Sequence, residues 1–97
     1  MQTTGVNRFR AVFASRHVVL PVIHVATQAQ ALRNAAVARE AGADGCFLIN
    51  HSIGSKELLA IHAAVADANP GWWVGVNCLD LDAEEVFERL SPSVSGV

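Results

Sequence analysis

The chain has 97 residues, 52% of them hydrophobic and only 16% charged, with a formal net charge of −2. Such a length holds one small domain, and a weakly negative chain with scattered Lys and Arg excludes the basic stripe of a nucleic-acid binder. No apolar run approaches the ~20 residues of a membrane-spanning helix, and the first eight residues lack the apolar core of a signal peptide.

The charged fraction falls well below the roughly 25% of an average soluble domain. A short chain also buries proportionally little surface. Together these imply a piece of something larger or an obligate oligomer. In chain order, Phe9, Val12 and Phe13 recur at helical spacing and predict a short N-terminal helix. Val18 to His24 reads as the first strand, a nearly continuous apolar run suited to a strand buried on both faces. Pro21 inside it places the strand at an edge, or residue 21 where no N–H partner is needed. Thr27-Gln-Ala-Gln30 is a capping box, and the helix it opens runs through Ala41 to Gly42, with Leu32, Ala35, Ala36 and the stem of Arg39 as its packing stripe.

Cys46 to Asn50 is the second strand. Ser52 or Ser55 caps the next helix, Lys56 to Ala68, whose buried side carries Leu58, Leu59, Ile61, His62 and Val65. Asn69-Pro-Gly71 stops it, because proline cannot continue a helix and glycine supplies the turn. Trp72 to Asn77 is the third strand, with the two tryptophans on opposite faces. Asp82-Ala-Glu-Glu85 repeats the capping-box pattern, with Asp82 as the cap of a third helix from Ala83 to Leu90.

The order is therefore a helix followed by three strand–helix units, which means an α/β fold with parallel strands. Extrapolating the spacing of the units sets the end of a fourth strand near position ~103, past Val97, with Ser95-Gly96-Val97 as its start. Residues 1–97 are accordingly expected to form one partial (β/α) barrel domain, cut before its fourth strand. A full TIM barrel takes about 250 residues. It is favoured over a flavodoxin-like or Rossmann-like sheet because no G-x-G-x-x-G follows the first strand. Cys46 starts one strand and Cys78 follows the end of another. In parallel strands they are too far apart for a disulfide, and they form no metal pattern. Both are expected to be reduced thiols in a cytoplasmic protein.

Pro21-Val-Ile-His24, the helix containing Ala31-Leu-Arg-Asn-Ala35, and Ala41-Gly-Ala-Asp-Gly45 leading to a strand that ends Ile49-Asn50 follow one another in order. Over residues 9–90 the chain resembles the BtpA-type TIM-barrel proteins and, more broadly, the ribulose-phosphate-binding barrels. It departs from the BtpA pattern at Val25-Ala-Thr-Gln28, where that family has a Pro- and Gly-rich loop, and at Ile49-Asn50-His51, where it has a Glu-Asn pair: Asn50 matches the Asn, and the acidic partner is missing. The resemblance implies a phosphorylated or nucleotide-like small ligand and no particular cofactor.

Each of the three strands ends in a polar side chain, His24, Asn50 or Asn77, and barrels carry their chemistry at that end. If aligned, the three converge at one mouth. His24 suits general acid–base work, with His51 and Asp80 on the adjoining loops as further catalytic candidates. Asp80 beside either histidine would make an acid–base pair or two ligands of a divalent metal, although no metal-binding spacing is present and none is assigned. Asn50 and Asn77 suit substrate binding as both donors and acceptors. His62 is expected to pack inside its helix, and His17 to lie at the opposite mouth. Two functions follow. One is the N-terminal part of a TIM-barrel isomerase, lyase or transferase acting on a small metabolite, inactive by itself and lacking the C-terminal part of its barrel. The other is a non-catalytic binding or assembly protein that completes its sheet as a homo-oligomer. Neither involves nucleic acid or membrane.

Overall fold

The computed structural model describes residues 17–80, 88–89 and 94–97. The helix expected around Phe9 to Phe13 lies outside them, as does Asp82; of the helix expected over 83–90, residues 88 and 89 are described and are helical. The described elements run β1 (Val22–Val25), α1 (Gln28–Glu40), β2 (Gly45–Asn50), α2 (Ser55–Ala68) and β3 (Trp73–Asn77). The three strands form one parallel sheet in the order β1-β2-β3. This is the α/β arrangement that alternating strand and helix patterns require.

Strand parity sorts the side chains. Ile23 and Val25, Cys46 and Leu48, and Val74 and Val76 are buried on one face, in a single core with Ala31 and Ala35 of α1 and Leu58, Ile61 and Val65 of α2. Alanines on α1 allow the helix to lie close to the sheet. Its stripe is Ala31 and Ala35 with Leu32 beside them, and Ala36 is exposed. The opposite face carries Val22 and His24, Phe47 and Ile49, and Trp73, Gly75 and Asn77. No described helix packs on it.

Local chemistry explains where each element starts and stops. Thr27 and Gln30 form the expected capping box: the Gln30 N–H donates to Thr27 Oγ1 at 3.1 Å, and Gln30 Oε1 accepts from the Ala26 and Thr27 N–H groups. Gly42, at φ +92°, closes α1 in a Schellman turn, with Gly42 N–H donating to Arg39 O and Ala43 N–H to Ala38 O, both at 3.0 Å. After α2, Asn69-Pro-Gly-Trp72 makes a type II turn: Gly71 has φ +79° and Trp72 N–H donates to Asn69 O. The first strand is shorter than its apolar run. Residues 19–21 still track β2, through Asp44 N–H to Val19 O and Phe47 N–H to Pro21 O. Pro21 thus contributes only its carbonyl, at the edge of the described sheet.

A further piece of parallel pairing joins β3. Gly96 bridges Gly75, Ser95 N–H donates to Val74 O at 3.0 Å, and Val76 N–H donates to Gly96 O at 2.9 Å. The expected start of a fourth strand therefore lies beside β3 in the parallel sense. The tryptophans divide as parity demands. Trp72 packs against the helix-side core and donates its indole N–H to Ala43 O. Trp73 lies on the open face, edge-on to Phe47 at 4.9 Å.

Candidate functional site

The open face is built in cross-strand rows. Gly45 pairs with Trp73; Val22, Phe47 and Gly75 form the next row; His24, Ile49 and Asn77 form the row at the C-terminal end. A concavity of about 460 Å³ lies among Val22, Phe47, Ile49, Asn77 and Val97. Its floor is apolar, and Asn77 is its polar wall. The rim continues to His51, two residues beyond Ile49 and so on the same face as Ile49. His51 stacks on His24, with ring centroids 4.7 Å apart and planes 17° from parallel. Both histidines are exposed. The end of β1 is held by Gln30, whose amide N–H donates to the His24 carbonyl at 3.0 Å. The capping box thereby anchors the backbone under His24 as well as starting α1.

Asn50 does not join this rim. The register sets it opposite Val25, and Ile49 opposite His24 and Asn77. An offset of one residue moves a strand side chain to the other face, and Asn50 accordingly faces the helices, 2% exposed. There it donates to Ile53 O at 2.9 Å and to Asp80 Oδ1 at 2.7 Å, and accepts from Leu79 N–H at 2.8 Å.

Asp80 belongs to the same network. Its carboxylate accepts from Asn50, from the Ser55 hydroxyl and from the Ser55 N–H at 3.3 Å. α2 has Gly54 at its N-cap position and no side-chain cap of its own. Asp80 supplies that cap from the loop after β3, a carboxylate at the positive end of a helix. The Ser55 hydroxyl, then Asn50, hold the Asp80 carboxyl down to about 2. It is therefore ionised throughout the neutral range and fully engaged by hydrogen-bond donors. The acid–base pairing expected between Asp80 and a histidine is replaced by this clip, and the two histidines pair with each other.

His62 and the two cysteines lie inside the fold. His62 is fully buried, with Nε2 2.9 Å from Val74 O. Cys46 and Cys78 are free and buried. Burial pushes the Cys46 thiol up to about 11 and raises that of Cys78 as well. Neither is a thiolate at neutral pH, so neither is an activated nucleophile. His17 stands before β1, at the end of the sheet away from His24. Among the described residues no group of three or more His, Cys, Asp or Glu side chains could hold a metal ion. None of the described helices is long and apolar enough to cross a membrane.

Ser55 and Gln30 act on the expected site residues from outside the strand ends. The sequence expects Ser52 or Ser55 to cap α2; Gly54 takes the N-cap position instead, and Ser55 is the first helical residue, bonded to Asp80 across 25 residues that the sequence does not connect. Gln30 is visible as half of a capping box, but not as a support for His24. No family model, curated protein or solved structure matches the chain.

Proposed function

We propose that the C-terminal edge of the open sheet face is part of an acid–base site for a small polar metabolite, in the first strand–helix units of a TIM-barrel enzyme. One observation carries the reading. His24 and His51 meet on the face away from the helices, and Asn77 sits in the same cross-strand row as His24, above an apolar concavity. Parallel α/β folds bind ligands outside the C-terminal ends of their strands. An imidazole is the side chain best suited to move protons near neutral pH. His24 and His51 take the proton-transfer role. Asn77, able to donate and accept, orients a carbonyl, hydroxyl or phosphate oxygen. Asn50 and Asp80 are assigned to the support of the edge. The resemblance to ribulose-phosphate-binding barrels supplies the ligand class, a phosphorylated or nucleotide-like metabolite, and the reaction class of isomerisation, elimination or transfer.

The test is a titration of the ¹⁵N-labelled chain with a panel of sugar phosphates and nucleoside monophosphates, read residue by residue. Binding that moves the His24, His51 and Asn77 resonances supports the reading. Binding that leaves all three unmoved removes it.

A second reading is favoured by the exposure of the same face. Val22 is 53% and Val97 49% exposed beside Phe47 and Ile49. In this reading the chain is an assembly module whose sheet is completed by another copy of itself.

A further inference from the structure

We infer that the His24–His51 pair is a binding site for a divalent transition-metal ion of the kind imidazole ligates, with Zn²⁺ as the representative. The two rings come from different strand ends and meet diagonally across the sheet, His24 opposite Ile49 and His51 two residues further along. Both are exposed, and among the described residues no group takes a hydrogen bond to or from any of their four ring nitrogens. They differ in this from His62, whose Nε2 is committed to a backbone carbonyl in the core. Neutral imidazole nitrogen is the commonest protein ligand for such ions.

The spacing fits. Zn–N bonds are about 2.0–2.1 Å, and two imidazoles on a tetrahedral ion have ring centroids about 5 Å apart. The observed separation is 4.7 Å. The rings are stacked, with planes 17° from parallel, so ligation requires them to leave the stack; rotamer changes of exposed side chains, which occur in nanoseconds, turn a nitrogen of each ring toward a shared ion. Two protein ligands leave two positions for water or for an oxygen or nitrogen of a ligand. No third His, Cys, Asp or Glu completes the set among the described residues. The site is therefore a two-imidazole chelate, weaker than a structural zinc centre. A bound ion uses the lone pairs that would otherwise accept protons. Occupancy accordingly silences acid–base work by these rings, and the edge becomes metal-sensitive. The inference stands on the geometry of the pair, whether or not the acid–base reading holds.

Isothermal titration of ZnCl₂ into the full chain tests it with no substrate present. The wild type binds one ion, and His24→Ala and His51→Ala each weaken binding by about tenfold or more, the scale on which metal sites respond to lost support. Circular dichroism confirms that both variants, changed at exposed positions, keep the fold. Absence of binding at millimolar Zn²⁺, or equal affinity in either variant and the wild type, overturns the inference.

Discussion

Asp80 shows how one side chain ties three elements together. Its carboxylate receives Asn50 from the end of β2 and both donors of Ser55 from the start of α2, and it follows β3 in the chain. Hydrogen bonds to the charged form depress its pKa from an ordinary 3.8 to about 2. A carboxyl with a depressed folded-state value binds its proton more weakly folded than unfolded. Its stabilising contribution is complete above the ordinary value and is lost as pH falls through about 2. Urea titrations of the wild type and Asp80→Asn should therefore differ at pH 5 and converge as pH falls toward 2. A constant difference across that window would show that the clip does not depend on the charge. Asn50 is the buried partner. Asn50→Ala leaves the Ile53 carbonyl and the Leu79 N–H without a side-chain partner, which should cost about 1–3 kcal/mol. Equilibrium unfolding measures it, and a loss within experimental error would contradict the network.

At the scale of elements, the sheet depends on a few positions without a side chain. Gly75 faces the open side beneath the Trp73 indole. A Cβ there would stand 2.6 Å from the indole ring and 2.8 Å from Phe47. Gly45 is tighter still, against the Trp73 backbone carbonyl. The glycines let Trp73 and Phe47 fill the lower part of the open face. Gly75→Ala should force the indole aside and destabilise the fold by about 1–3 kcal/mol, the usual cost of overpacking. Thermal unfolding checks this, with unchanged stability as the contrary result.

Elements were readable from the sequence because their signals are local. The Thr27/Gln30 box, the glycine after α1 and the Asn-Pro-Gly turn each use neighbouring residues alone. The register was not readable. Both faces of β2 are apolar, with Cys46 and Leu48 on one and Phe47 and Ile49 on the other. A strand buried among parallel neighbours shows no alternation to fix its parity. Asn50 and Ile49 could equally have faced the rim, and only the pairing of Ile49 with His24 and Asn77 decides between them. The same ambiguity concealed the meeting of His24 with His51.

For the whole molecule, one sheet face is covered by two helices, and no described helix covers the other. Among the described residues, the open face joins Val22, Phe47, Ile49 and Trp73 without a single Lys, Arg, Asp or Glu. An apolar face of this kind favours association. Sedimentation at tens of micromolar should give a mass above the 10.3 kDa of one chain. A monomer across the whole concentration range would show that the face is stable in water and would remove the assembly reading. Composition pointed to such a surface, since an apolar chain of this length cannot bury all of its hydrophobic area. It could not locate it, because that depends on which strand face the helices take.

The central claim is that the C-terminal edge of the open face, with His24, His51 and Asn77, is where this chain meets a ligand. The ¹⁵N titration with sugar phosphates and nucleoside monophosphates tests it most directly. The account predicts saturable shifts concentrated at His24, His51 and Asn77, abolished by His24→Ala and by Asn77→Ala. Saturable binding whose shifts cluster elsewhere, or that survives in both variants, would contradict it.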